Sequence, residues 1–174
     1  MKLRTTAMRA HHPGWAFAPT SGEGARRHGG RFNPIGIPAL YLSLDQKTAW
    51  LEAQQGFPFK PQPMTLCAYD VDCDDIIDLR DPDQRNAWSL AVADLSCPWE
   101  DMAHRGLTPP TWGFASSAIA SRQAGAVFPS QATGARPDDV NVVFWKWGEA
   151  KPHRVAVIDD LRRLPRDQSS WVIL

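Results

Sequence analysis

Four residues of this chain carry chemistry that their surroundings do not demand. Glu52 lies beside Ala49 and Ala53, which are i,i+4 partners facing a core, and a carboxylate next to such a face is costly unless paired, hydrogen-bonded or used. It reads as an edge-of-face side chain reaching solvent or as a group kept for reaction. Arg31 follows Gly29-Gly30 and precedes Phe32-Asn33-Pro34. A guanidinium on a glycine-flanked segment can approach a phosphate or ribose closely, its forked donors matched to oxygen pairs; the alternative is a solvated loop arginine. Tyr41 stands in an apolar run, as a core aromatic or a ring for a ligand, and Ser130 follows Phe128-Pro129, where a turn serine is the plain reading.

Other catalytic templates fail. There is no GxSxG elbow, no Walker phosphate loop and no HExxH zinc signature. GEGARRHGG lacks the spacing of a dinucleotide fingerprint. His11 and His12 are adjacent, so their side chains diverge, which disfavours a shared metal. His28 reads as a solvated loop histidine, and Cys67, Cys73 and Cys97 form neither a CxxC pair nor an even disulfide framework. Trp145 and Trp147 are expected on one face of a strand, where core packing is favoured over base stacking.

These residues must be held by short elements, because 15 prolines interrupt a chain of 174 residues. The Gly/Pro-rich stretch 13–38 reads as loop. ALYLSL (39–44) predicts a buried strand, and Ser43-Leu44-Asp45-Gln46 resembles a capping box that opens a helix to about Gln55. Strands are predicted at 65–71 and 74–79. Asp81-Pro82 starts a helix expected to reach Leu95, Pro98 opens a shorter one ending near Gly106, and 111–124 forms another with Gly125 as its C-cap. Residues 126–130, 140–147 and 153–158 predict further strands. Strands and helices mix without regular alternation, so the fold class is α+β.

Composition bounds the rest. Apolar residues make up 43% of the chain, enough for one core, and 174 residues fit a single domain. Nineteen basic against nineteen acidic residues leave no excess charge, which argues against a nucleic-acid or membrane surface but permits a local basic pocket. No apolar run approaches the roughly 18 residues of a membrane span, and no secretory signal is visible. A reducing cytoplasm is the expected setting.

Taken together, SGEGARRHGGRFNPIGIPALYLSLDQKTAWLE resembles the signature of RES-domain proteins, named for an Arg, a Glu and a Ser. The matching positions are Gly29, Gly30, Arg31, Phe32, Asn33, Pro34, Tyr41, Ser43 and Glu52, and Pro129-Ser130 followed by Asn141 matches the later serine segment. The similarity spans about residues 15–158. It implies one domain over 1–174 with an ADP-ribosyltransferase-like mixed or antiparallel β core, flanking helices and NAD as substrate. It further implies a toxin of a toxin–antitoxin pair, with Arg31, Tyr41 and Glu52 catalytic and Arg31, Phe32, Tyr41 and Ser130 holding NAD. No metal is required. An Xre-like antitoxin is the implied partner, covering the site through Arg26, Arg27, Arg31 and Ser130. The acceptor of ADP-ribose is a protein, or alternatively phosphate or water; a module that binds NAD or a partner without turnover is the non-enzymatic reading. Position 50 is Trp, so Glu52 lacks the acidic or Gln neighbour that arginine-modifying transferases place two residues upstream.

Overall fold

Leu3–His11 forms a strand that apolar periodicity does not announce, because its half-buried positions include Thr5 and Arg9. The structure, a computed structural model, describes residues 1–54 and 63–169. This first strand, β1, pairs antiparallel with β3 (Thr65–Cys73) from Leu3↔Cys73 to His11↔Thr65. With β2 (Leu40–Ser43), β4 (Ile76–Asp78), β5 (Gly125–Pro129), β6 (Val140–Phe144) and β7 (His153–Val157) it builds one sheet ordered β4-β5-β6-β2-β1-β3-β7. Among the described strands only β4 and β5 pair in parallel. Six α-helices lie among the described residues: α1 (Glu23–His28), α2 (Gln46–Gln54), α3 (Pro82–Ala87), α4 (Val92–Leu95), α5 (Trp99–His104) and α6 (Pro110–Ala120). The domain is α+β with a mixed sheet, as its element pattern predicts.

The sheet has a seam. β1 and β2 share a single register pair, Met8↔Ser43, whereas β2 pairs with β6 over four positions and β1 with β3 over nine. The two halves therefore diverge on either side of that rung. Leu40, Leu42, Val142 and Phe144 from one half and Tyr69, Val71 and Val155 from the other share one core, so the halves curl around it. On the opposite face Ile77, Ala126, Phe128 and Val143 pack with Phe32, Leu90, Leu95 and Phe114 under α4 and α6. Strand alternation divides the sheet residues between the two cores: Val127 enters one, its neighbours Ala126 and Phe128 the other.

Several expected boundaries move. Residues 23–28 are helical rather than loop; Gly29 (φ 75°) ends the helix in a conformation that suits glycine. The helix expected from Asp81 to Leu95 begins as read, with Asp81 accepting from the Asp83 N–H, but breaks into α3 and α4 where Ser89 takes φ 54°. α6 stops at Ala120 and Arg122 takes φ 62°, so Gly125 is no C-cap. It opens β5, where a Cβ would lie 2.2 Å from the Val143 carbonyl oxygen. Asp45, not Ser43, caps α2, accepting from the Thr48 N–H at 2.9 Å and from the Thr48 hydroxyl. Gln55, the expected end of α2, lies outside the described residues. Trp145 and Trp147 follow the end of β6 and pack against opposite cores. No helix among the described residues is long and apolar enough to cross a membrane.

Candidate active site

A cavity of about 420 Å³ opens at the seam. Met8, Arg9 and Ala10 of β1 and Tyr41, Leu42 and Ser43 of β2 line it where the strands part. α2 closes one side with Ala49, Glu52 and Ala53, an i, i+3, i+4 set whose small members let the helix lie near the strands. Gly24, Ala25, Gly29–Arg31, Trp99, Phe128, Gln131 and Asn141 line the remainder.

Arg31 sits on a two-residue turn. The Gly30 N–H donates to the Asn33 carbonyl at 2.9 Å and the Asn33 N–H returns to Gly30 at 3.3 Å. Two of the turn's carbonyls are held by tryptophans, Trp112 Nε1 donating to Gly30 and Trp145 Nε1 to Phe32, both at 2.8 Å. The Tyr41 hydroxyl accepts from the Phe32 N–H at 2.9 Å and donates to Asn33 Oδ1 at 2.7 Å. Asn33 Nδ2 donates to the Ala25 and Ile37 carbonyls, both at 2.9 Å. Gly30 is needed for close approach: a Cβ would meet Asn33 Oδ1 at 2.6 Å and the Tyr41 hydroxyl at 2.7 Å.

From this turn Arg31 donates both Nη1 protons to main chain, to Leu95 O at 2.9 Å and Cys97 O at 2.8 Å. Burial pulls its guanidinium below the ordinary value, against the opposing effects of Cys97, Glu52 and Tyr41. Burial raises the Tyr41 phenol, so it stays protonated and can keep donating to Asn33.

Glu52 is fixed by a relay. Ser130 Oγ donates to Glu52 Oε1 at 2.6 Å, Asn141 Nδ2 donates to the same oxygen at 2.5 Å, and Ser43 Oγ donates to Asn141 Oδ1 at 2.7 Å. Two donors from β6 and the end of β5 thus set the plane of a carboxylate that α2 delivers to the cavity wall.

The structure brings Arg31, Tyr41 and Glu52 to one cavity. It does not place Phe32 there: that ring is fully buried, 4.4 Å centroid to centroid from Phe128 and 6.0 Å from Phe114, because turn residues Arg31 and Phe32 point to opposite sides. Ser130 is buried and does not line the cavity; its hydroxyl orients the Glu52 carboxylate. Arg26 and Arg27 pair with Glu23 on the exposed side of α1, 2.7 Å in each case, and neither lines the cavity. His11 turns into the protein, its Nε2 3.6 Å from the Cys67 sulfur.

Sequence reading missed Arg9. Its Nη1 donates to Pro19 O at 3.1 Å and Ser21 O at 3.2 Å, the same mode by which Arg31 is held. Burial lowers its basicity, with Tyr69 and Cys67 opposing. An arginine centred between Ala7 and His11 was the available signal, but it could be weighed only once that stretch was read as a strand.

These features define an α+β domain with a polar cavity at a split sheet, two tethered guanidiniums and one oriented carboxylate. Residues 6–167 match the family model described as RES domain, and the chain belongs to the RES-domain family. Its fold is similar to a chain in the crystal structure of the M. tuberculosis MbcT–MbcA toxin–antitoxin complex. The two are 20% identical with a TM-score of 0.59, over 91% of this chain and 84% of that one. No curated protein matches the sequence.

Proposed function

We propose that this chain is the toxin of a toxin–antitoxin pair, that its cavity binds NAD, and that it transfers ADP-ribose to a cellular protein. The observation that carries this reading is the pairing of two tethered guanidiniums, Arg9 and Arg31, with a hydrogen-bonded carboxylate, Glu52, on the walls of one cavity. Each guanidinium has spent Nη1 on carbonyls, so the neutral partners fix it in place while its charge awaits an anion. A diphosphate supplies that anion, and forked donors suit paired oxygens.

The bond between nicotinamide N1 and ribose C1′ breaks heterolytically. Its electron pair leaves with nicotinamide, which departs neutral, and positive charge develops on C1′ as in glycoside cleavage. Glu52, held in one orientation by Ser130 and Asn141, stabilises that charge and accepts from the ribose 2′-hydroxyl. An acceptor oxygen or nitrogen then forms the new bond to C1′ and loses its proton. Tyr41 holds the Arg31 turn and offers its ring to the ligand from the cavity wall. Trp50, two residues before Glu52 on α2, is no acceptor-directing carboxylate, which disfavours an arginine side chain as acceptor.

An NAD-consuming chain needs restraint in the cytoplasm where it acts. An Xre-like antitoxin that inserts a carboxylate toward Arg31 would occupy the place of the diphosphate. Arg26 and Arg27, paired with Glu23, are left to its rim.

The test is release of nicotinamide from NAD by purified wild type and Glu52→Gln. Wild type is expected to release it, and the variant, nearly isosteric, to fall about a hundredfold, roughly 3 kcal/mol of lost charge stabilisation. Equal rates would remove Glu52 from the reaction. Separating the products distinguishes a protein adduct from ADP-ribose 1-phosphate or free ADP-ribose, the marks of phosphate and water as acceptors.

A further inference from the structure

Asp139 does not line the cavity, yet it is a buried carboxylate with contacts on two sides of it. Its Oδ2 accepts from Lys47 Nζ and from the Arg136 N–H, both at 2.7 Å. Its carbonyl accepts from the Ser130 N–H at 2.8 Å. Lys47 stands in the first turn of α2, the helix that carries Glu52, and Ser130 is one of the two donors to Glu52. We propose that Asp139 and Lys47 are positioning residues for Glu52: their contact sets the course of α2 along β6, so that Glu52 meets Ser130 and Asn141. The inference rests on the reading of Glu52 as the reacting carboxylate.

Helix and strand are in step. The earlier residue of α2 meets the earlier residue beside β6, Lys47 with Asp139, and the later meets the later, Glu52 with Asn141. α2 and β6 therefore run alongside each other in one direction. From Lys47 to Glu52 a helix advances about 7.5 Å, and from Asp139 to Asn141 a strand advances about 6.7 Å. Val140, between the two strand residues, enters the core, so alternation sends Asp139 and Asn141 to the opposite face, toward the helix. One contact leaves a helix free to swing about its start, whereas two contacts fix its direction. The start is the Asp45 cap, and Glu52 lies almost two turns beyond it. A small swing there would part Glu52 from donors that now stand at 2.6 and 2.5 Å.

The tie also joins the parts that must agree. Ser130 begins the loop that Asp139 ends, and the bond between them closes the β5–β6 hairpin. Asp139 thus holds the hairpin through its main chain and α2 through its side chain. Lys47, and after it the Arg136 N–H, keep the Asp139 carboxyl below its ordinary range, so the tie is ionised at neutral pH. Lys47 itself is half-exposed, and such a pair adds little to overall stability. Its removal therefore separates positioning from folding.

The experiment measures kcat and KM for nicotinamide release from NAD, thermal melts, and the side-chain amide signals of Asn141 by NMR in isotope-labelled protein. It compares wild type with Lys47→Ala, Lys47→Arg, Asp139→Asn and the double variant Lys47→Ala/Asp139→Asn. Lys47→Ala and Asp139→Asn should each lower kcat about fivefold or more while KM stays within about twofold. Lys47→Arg should keep most of kcat. The double variant should lose no more than the worse single one, because both remove the same contact. One Asn141 amide proton should lie downfield in wild type through its bond to Glu52, move toward the position of exposed amides in Lys47→Ala, and return in Lys47→Arg. Unchanged kcat in folded variants, a loss carried by KM alone, losses that multiply in the double variant, or an unmoved Asn141 signal overturns the positioning role. Should Asp139→Asn fail to fold, the two Lys47 variants decide. If wild type releases no nicotinamide yet the Asn141 signal follows Lys47, the cleavage reading fails and the positioning of Glu52 stands.

Discussion

Arg31 and Lys differ more here than their shared charge implies. The Arg31 guanidinium bonds Leu95 and Cys97 through Nη1 while offering its remaining donors elsewhere, a division of labour that needs a planar fork. Arg31→Lys should therefore weaken NAD binding at least tenfold by calorimetry; unchanged affinity would return the residue to a structural role. Tyr41 makes a different case. Its hydroxyl is both acceptor for Phe32 N–H and donor to Asn33, so Tyr41→Phe orphans two buried groups at a cost of about 1–3 kcal/mol in stability, read by denaturant unfolding. Glu52 stood out in the sequence as a carboxylate beside an apolar face, whereas Arg31 and Tyr41 were picked out by the resemblance to the RES signature. Arg9 was not, because its strand has too little apolar contrast. Phe32 and Ser130 were also named, but their positions off the cavity wall were not legible, since neither the side to which a turn residue points nor a contact across 78 residues leaves a local trace.

Elements place these groups through small residues and crossed ties. The turn at Gly30 works only without a Cβ, and Gly30→Ala should push Asn33 and Tyr41 apart, lowering the melting temperature and nicotinamide release together. At the far end of β1 the ties are ionic. Asp72 on β3 receives Lys2 at 2.9 Å and Lys151 at 2.7 Å, and these bonds hold its carboxyl down at about 2, against 3.8 ordinarily. A depressed carboxyl stabilises the fold above its unfolded value and loses that contribution as pH falls through its folded one. Acid unfolding of wild type should thus show a loss between about pH 4 and pH 2 that Asp72→Asn lacks. Apart from β1 and α1, which were not expected, strands and helices were readable from apolar runs and caps, while boundaries shifted where one residue took a left-handed backbone, as at Ser89 and Arg122. Nothing in either residue's type demands that conformation.

For the whole molecule, neutrality conceals concentration: nineteen charges of each sign leave no net field, yet two guanidiniums meet in one cavity. Ligand binding should accordingly survive moderate salt, because buried pairs are screened less than surface ones. The single rung between β1 and β2 has a consequence for heredity. Strands β1 and β2 line the cavity on either side of that rung, and their main-chain donors and acceptors persist through every amino-acid replacement except proline. If the chain is expressed under conditions where it arrests growth and survivors are sequenced, missense escapes should therefore gather at Arg9, Arg31, Glu52 and the relay behind it, and at Gly30. They should be scarcer at Met8 and Ala10, half-buried positions of β1 where any side chain but proline leaves the peptide groups at the seam in place.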